Sequence, residues 1–470
     1  MAFELDMASL PVGQTPSRKQ LVGTVLSLSA PAILSELSTT LMQYIDAGMV
    51  GSLGAQATAS IGLVESTIWL LDGWAMCTAT GFTVQVAQLI GAKKDVEARQ
   101  VLRQSIVALL LFGAALAGVG VLASGSLPAW LGGAQELRAD ASLYLRICSC
   151  GIVPVTMARL GTGMLQCSGD MSTPSVLNVL ACVLDVCFNW MLIHTGCDVV
   201  LGGLTLHIPG FGLGIAGAAI GTLLAQSVAA FLLLWCACVR SPRLRLQERA
   251  SWRPTRRAVF SSLSVSGPML LERTVMSAAY VAGTVIVAPL GTVAVAANSL
   301  AVTAEAVCYM PGVGVSAAAT TLVGQAMGAG RKDLARTFAR LSTAMGMLLM
   351  GMSGVIMWVF APSIMAMLTP DESVQALGAE VLRIEAFAEP LFGASIVAAG
   401  ALRGAADTLV PSVIVIASMW GVRMSVSALV APVWGLVGVW CAMAGELCLR
   451  GILFAWRLLR GRWLDRAMIV

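Results

Sequence analysis

The chain has 470 residues, of which 57% are hydrophobic and only 11% charged, with a formal net charge of +4. Its mean hydropathy is +0.84. A soluble chain of this length would carry about 25% charged residues and divide into polar-surfaced domains, so this composition excludes that class and points to a membrane.

Apolar runs recur between short polar breaks, each long enough to cross a hydrocarbon core of ~30 Å at 1.5 Å per residue. Lipid offers no water to backbone groups, so each run must be a helix. The polar arm before Ser27 carries Arg18 and Lys19 but no short apolar region followed by a cleavage site, and it reads as no signal peptide. Twelve spans are expected. The first six are Ser27–Val50, Ile61–Ile90, Arg103–Gly125, Ala141–Met164, Val176–Thr195 and Ile215–Val239. The second six are Val259–Leu290, Val293–Met327, Leu341–Ala361, Leu377–Ala401, Ser412–Val433 and Val437–Leu459.

Basic residues set the expected orientation, because Lys and Arg collect in cytoplasmic loops. Lys93, Lys94, Arg99 and Arg103 follow span 2. Arg240, Arg243, Arg245, Arg249, Arg253, Arg256 and Arg257 follow span 6. Arg331, Lys332, Arg336 and Arg340 follow span 8, and Arg457, Arg460, Arg462 and Arg466 end the chain. Loops on the other side hold almost no base, with Arg138, Arg146 and Arg383 as exceptions. Both termini are therefore expected in the cytoplasm, as an even number of spans requires. The expected division is a cytoplasmic arm (1–26), an N-terminal six-helix lobe (27–239), a basic cytoplasmic linker (240–258), a C-terminal six-helix lobe (259–460) and a cytoplasmic tail (461–470). The linker's only aromatic is Trp252, too little stacking surface for a nucleic-acid site, so no nucleic-acid partner is expected.

The 12 cysteines fall mostly inside spans, as Cys77, Cys182, Cys236 and Cys441 do, where a thiol packs as a small apolar group. Cys197 alone lies in a clear outer loop, which argues against a disulfide framework. Cys148-x-Cys150 and Cys236-x-Cys238 lack a second pair. His194 and His207 form no ligand cluster. No metal site of that kind is expected.

The chain repeats itself. Under one constant shift Ser29-Ala-Pro31 falls on Ser266-Gly-Pro268, Gln88 on Gln325, Gly91-Ala92 on Gly328-Ala329, Asp170 on Asp407, and Pro174-Ser-Val176 on Pro411-Ser-Val413. The offset fails only after span 5, where Leu201–Ile208 lengthens the outer loop of the first half. Each half has six spans, so both insert with the same orientation. Such a parallel repeat, related by an axis along the membrane normal, favours a transporter over a channel.

Acids at membrane depth cost at least ~2.5 kcal/mol each on insertion scales, so each is a candidate site. The first half offers Glu36, Asp46, Glu65, Asp72 and Asp185. The second offers Glu272, Glu305, Glu389 and Glu446, beside Arg273 and Arg423. Asp185 and Asn189 stand one turn apart and Asn178 lies two turns back, all on one helix face. A carboxylate with amides makes an oxygen-rich site for Na⁺ or a protonatable group. The competing reading is hydrogen-bonded glue between helices, and it weighs at least as much for Glu65, Asp72, Glu305 and Glu446. Positions 46, 185 and 189 map by the repeat to Gly283, Val422 and Val426, so this cluster exists in the first half alone.

In order along the chain, Tyr44-Ile-Asp46-Ala-Gly-Met-Val-Gly51-Ser-Leu-Gly54, Gln88-Leu-Ile-Gly91-Ala92-Lys93, Gly169-Asp170, Ala288-Pro-Leu-Gly291, Gly324-Gln325-Ala-Met-Gly328 and Leu402-Arg-Gly404 resemble the MATE (multidrug and toxic compound extrusion) family. The resemblance implies an all-α polytopic membrane protein with twelve transmembrane helices in two V-shaped six-helix lobes. It implies export of organic cations in exchange for H⁺ or Na⁺, with no other cofactor, by a monomer in the bacterial inner membrane.

By the same resemblance Asp46 matches the family's first-helix acid for the coupling ion. Asn189 stands where many members carry aspartate and Asp185 where they carry asparagine. Thr222 matches a threonine that completes the site in some members. Glu272 lies one turn before the place, here Met276, where one branch carries an acid. Glu389 lies three residues before another such place, here Phe392. Glu272 and Glu389, with Glu65 and Glu36, are candidates for substrate or for a second proton. A substrate that is amphipathic or cationic is expected, with a lipid bilayer as the surroundings. A lipid-linked precursor flippase of the same superfamily and an ion channel are the alternatives. No nucleotide-binding loop or catalytic cluster is present, so no enzyme is expected.

Overall fold

The computed structural model describes residues 16–465 except 202–203 and 248–249. Arg249 and Arg466, and the side chains of Cys197 and His207, lie outside the described residues. The helices of the first half are α1 (Arg18–Gly51), α2 (Ala55–Gly91), α3 (Asp95–Ala123), the single turn α4 (Leu127–Trp130), α5 (Gln135–Cys167), α6 (Ser172–Ile193) and α7 (Gly214–Trp235). Those of the second are α8 (Arg256–Val287), α9 (Thr292–Gly328), α10 (Lys332–Leu368), α11 (Glu372–Ala386), α12 (Glu389–Gly404), α13 (Leu409–Ser418) and α14 (Ser425–Arg460).

By length and hydropathy nine segments among the described residues can cross a membrane. One of them, Leu409–Arg460, has 52 residues. At 1.5 Å per residue it spans about 78 Å, enough for two crossings. Its bend falls at Gly435, whose φ of 58° and ψ of −144° interrupt α14. Helix α2 has 37 residues. Its hydropathy is diluted by Gln85 and Gln88, both buried against the other half of the chain. Helices α11 and α12 have 15 and 16 residues and together make one crossing, with Pro390 at the start of the second. Counted this way, six crossings lie in each half.

The repeat is visible in the element boundaries. The first residues of α2, α3, α5 and α6 fall, under the shift that carries Gln88 onto Gln325, on the first residues of α9, α10, α11 and α13. The last residue of α5, Cys167, falls on the last residue of α12, Gly404. Two features depart from the sequence expectation. The long outer loop is an antiparallel hairpin, β1 (Thr195–Leu201) and β2 (Leu204–Phe211), because a stretch rich in Val, Leu and Thr satisfies its backbone by strand pairing. The tenth span, expected unbroken over Leu377–Ala401, is interrupted between Ala386 and Glu389.

The halves meet along α1, α2, α8 and α9. Helix α1 packs on α6 of its own half and on α9 of the other, while α8 packs on α2. Leu21 and Val25 of α1 belong to the core of the second half, with Leu322, Phe338 and Phe454. The ends of α2 and α9 cross closely. A Cβ on Gly91 would overlap the Gln325 carbonyl, and one on Gly328 would overlap that of Gln88. Around this crossing Gln88 Nε2 donates to the Gly404 carbonyl at 3.2 Å, and Gln325 Nε2 donates to the Cys167 carbonyl at 2.7 Å. These are one contact made twice, because position 88 maps to 325 and 167 to 404 under the same offset.

Candidate functional site

Helices α1 and α6 run parallel and are stitched in register. Ser175 Oγ donates to the Pro31 carbonyl at 2.6 Å, Asn178 Nδ2 to Ser35 Oγ at 2.9 Å, and Asn189 Nδ2 to Asp46 Oδ1 at 2.9 Å. The sequence separation is 144 residues in the first pair and 143 in the other two. Asn178 is therefore drawn to Ser35 and does not join Asp185, although the helix face is shared as expected.

Asn189 Nδ2 also donates to Asp185 Oδ2 at 3.0 Å. Both amide hydrogens are thus spent on carboxyl oxygens, and the reverse amide orientation would set oxygen against oxygen. Thr222 of α7 faces Asp185, and the carboxyl groups of Asp46 and Asp185 lie close to each other. Asp185 and Asn189 are 1% exposed, and Asp46 is half-buried. Two carboxylates offer only acceptors, so they can share this space only with a proton or a cation between them.

The surroundings leave acceptors over. Asp185 Oδ1 and Asn189 Oδ1 are buried without a hydrogen-bond donor. Orphaned oxygens of this kind are costly unless something positive meets them. The set of two carboxyls, one amide oxygen and one hydroxyl suits Na⁺ as well as H⁺. Among the described residues no group of three or more His, Cys, Asp and Glu could hold a metal ion.

Close packing of α6 on α7 builds the site. A Cβ on Gly221 would strike the Asn189 amide oxygen, and one on Gly217 would strike the Leu192 carbonyl. This small-xxx-small spacing lets α7 approach closely enough to bring Thr222 to Asp185. The spacing of Gly217 and Gly221 is visible in the sequence, but the helix that they face is not.

The other candidate acids divide into separate groups. Glu36 and Asp72 lie near Arg159 of α5, which pairs with Asp72 at 3.1 Å. Glu65 has no hydrogen bond or ion pair among the described residues. Glu272 accepts from Ser412 Oγ at 2.6 Å and faces Arg403. Glu389 is fully buried and clusters with Glu305 and with Glu385, an acid that sequence reasoning passed over. Both oxygens of Glu385 and of Glu389 lack hydrogen-bond partners. Arg423 faces Glu305 and Glu385 and touches the Met443 sulfur, which identifies its surroundings. Glu446 accepts from Ser418 Oγ at 2.6 Å and pairs with Arg450 at 3.0 Å, so its contacts are those of structural glue. Glu272 and Glu389 thus stand in different clusters.

The MatE family description matches residues 31–191 and again 268–429. The chain belongs to the MatE family. The two matched segments begin at Pro31 and Pro268, a pair that the internal repeat superimposes. MatE proteins are membrane transporters and not enzymes, so the absence of a catalytic motif is in keeping. The chain is 25% identical to the probable multidrug resistance protein NorM of Thermotoga maritima, over 100% of this chain and 98% of that protein. It is 24% identical to the multidrug resistance protein MdtK of Edwardsiella ictaluri, over 94% and 95%. A MOP superfamily transporter from Pyrococcus furiosus superimposes with a TM-score of 0.86 at 21% identity, over 97% of this chain and 100% of that one. These comparisons support two related lobes of transmembrane helices.

Proposed function

We propose that this protein is a multidrug exporter that moves amphipathic or cationic compounds out of the cell in exchange for H⁺ or Na⁺, bound at Asp46, Asp185, Asn189 and Thr222. One observation carries the reading: two carboxyl groups close to each other, at membrane depth, beside two orphaned oxygens. An empty site would hold repelling charges, and a loaded site is compensated. Names of relatives such as NorM and MdtK support the drug-export part.

Coupling follows from the position of α1. Asp46 faces α6, while Tyr44 on the same helix donates its hydroxyl to the Thr303 carbonyl of α9 at 2.6 Å. Drawing Asp46 toward Asp185 therefore moves a helix that also touches the other half. Under this proposal the segments 27–239 and 259–460 rock against each other, both termini are cytoplasmic, and the protein sits as a monomer in the bacterial inner membrane. One charge crossing 100 mV supplies ~2.3 kcal/mol, roughly a fifty-fold gradient of a neutral solute. Glu272, Glu389, Glu36 and Glu65 stand as positions for substrate or for a second proton.

The flippase alternative gains no support from three further helix arginines. Arg159 is engaged by Asp72, Arg450 by Glu446, and Arg403 faces Glu272 and donates to Ser316 Oγ at 3.1 Å. The test is uptake of a fluorescent organic cation into proteoliposomes, with H⁺ and Na⁺ gradients imposed separately. Asp46→Asn is expected to abolish gradient-driven movement while the protein still inserts and folds. Undiminished driven uptake by Asp46→Asn would sink the assignment.

A further inference from the structure

Outside the candidate site, a cavity of about 390 Å³ lies between the first turn of α10 and the turn after α14. Lys332, Asp333, Arg336, Arg460, Arg462 and Asp465 supply its charged lining. Four bases against two acids leave the lining positive, and both acids are already taken. Arg331 grips Asp333 through two contacts of 3.0 and 2.9 Å, and its guanidinium holds that carboxyl below the ordinary carboxylate range. Lys332 holds Asp465 at 2.9 Å. No carboxylate pairs with Arg336, Arg460 or Arg462 among the described residues.

Three guanidinium groups are thus gathered without a counter-charge. Gly461 turns the chain here with φ of 72°, and a Cβ on it would lie 3.0 Å from the Arg336 guanidinium. The turn therefore carries Arg462 back toward Arg336. Arg460 stacks over Trp456, with its guanidinium carbon 4.0 Å from the ring centroid. The internal repeat provides a contrast. Arg99, the counterpart of Arg336, donates to the Arg243 carbonyl at 3.0 Å, so the first half answers its arginine from within.

The neighbouring surface is apolar. Ile452, Trp456 and Leu459, on the last turns of α14, are at least half-exposed. An aromatic and an arginine stacked at the end of a spanning helix mark the level of the lipid headgroups. A ligand that fits both parts has a phosphate for the arginines and hydrocarbon for the strip beside them.

We propose that this pocket is a binding site for the phosphate of an anionic phospholipid headgroup, with the acyl chains lying along α14. Guanidinium groups suit this role because each can bond two phosphate oxygens at once.

The test uses the full chain purified in detergent micelles doped with phosphatidylglycerol, with bound lipid counted by native mass spectrometry. Wild type is expected to retain phosphatidylglycerol over phosphatidylcholine. The double variant Arg336→Gln/Arg462→Gln is expected to lose it by roughly tenfold or more, two bases at the membrane surface having been removed. Arg253→Gln/Arg256→Gln, which removes equal charge from the linker, is expected to keep it. The single variant Arg462→Gln gives the readout should the double variant fold poorly, and a clear loss is expected there too. Wild-type retention by the pocket variants, or an equal loss in the linker variant, would overturn the proposal. Displacement of the lipid by millimolar inorganic phosphate would overturn it as well, because a free phosphate site needs no acyl chains.

Discussion

Gly328→Ala places a methyl group where α9 crosses α2. The obstructing atom is the backbone carbonyl of Gln88, which no side-chain rotation can move. Carbon and oxygen rest near about 3.5 Å, so the two helix ends must part by over about 1 Å. Overpacking of this kind costs about 1–3 kcal/mol. Parting also stretches the Gln88–Gly404 bond at 3.2 Å and the Gln325–Cys167 bond at 2.7 Å. Each contributes about 0.5–1.5 kcal/mol net. Alanine regains about 1 kcal/mol of helix propensity over glycine. The clash therefore wins, by roughly 1–5 kcal/mol, against the conformation in which these ends touch. Hydrogen exchange measured by mass spectrometry is expected to rise at the ends of both α2 and α9, with slower transport. Gly91→Ala should do the same through the mirror contact with Gln325. Gly118→Ala, which meets nothing within 4 Å, is the control. Unchanged exchange in folded Gly328→Ala and Gly91→Ala would refute the idea that this crossing holds the halves together.

Further outcomes are expected elsewhere. Thr222→Val should weaken binding of the coupling ion several-fold with little change in Tm, measured as the ion concentration giving half-maximal transport. Gly221→Leu should damage the same site from behind by pushing α7 off Asn189, reducing coupling more than Thr222→Val does. Asp407→Leu strips Arg457, now paired at 2.8 Å, of its buried counter-charge, and should lower stability by about 3–5 kcal/mol, read from thermal unfolding. At the start of α11 the Ser373 hydroxyl, and after it the amides of Val374 and Ser373, hold the Asp371 carboxyl below its ordinary value. A depressed carboxylate stabilises above its unfolded value and loses that effect as pH falls through the folded one. Exchange protection at Ser373 and Val374 should therefore persist through neutral pH and fail only in acid.

The membrane class, the count of twelve crossings and the parallel repeat are legible in the residues, because each depends on local quantities. Run length, hydropathy and a fixed offset need no knowledge of neighbours. Asp46, Asp185 and Asn189 are also legible as candidates, since an acid at membrane depth is conspicuous wherever it packs. Their meeting is not. Spacing puts Asn178 on the face of Asp185, yet packing against α1 gives it Ser35. The hairpin after α6 reads as plain loop in the sequence, because its pairing is set by contacts across the turn. Glu385 stands unremarked inside the tenth expected span, Leu377–Ala401, and only the packing around the break between α11 and α12 shows it buried with Glu389.

Local residue patterns thus specify a duplicated set of membrane helices and the acids able to serve them. Which acids share a space is set by packing between helices. The reason is geometric. A helix fixes neighbours one turn apart, but the partner across a helix interface depends on how closely two backbones approach. Here Gly217 and Gly221 set that distance between α6 and α7, and Gly91 and Gly328 set it between the halves.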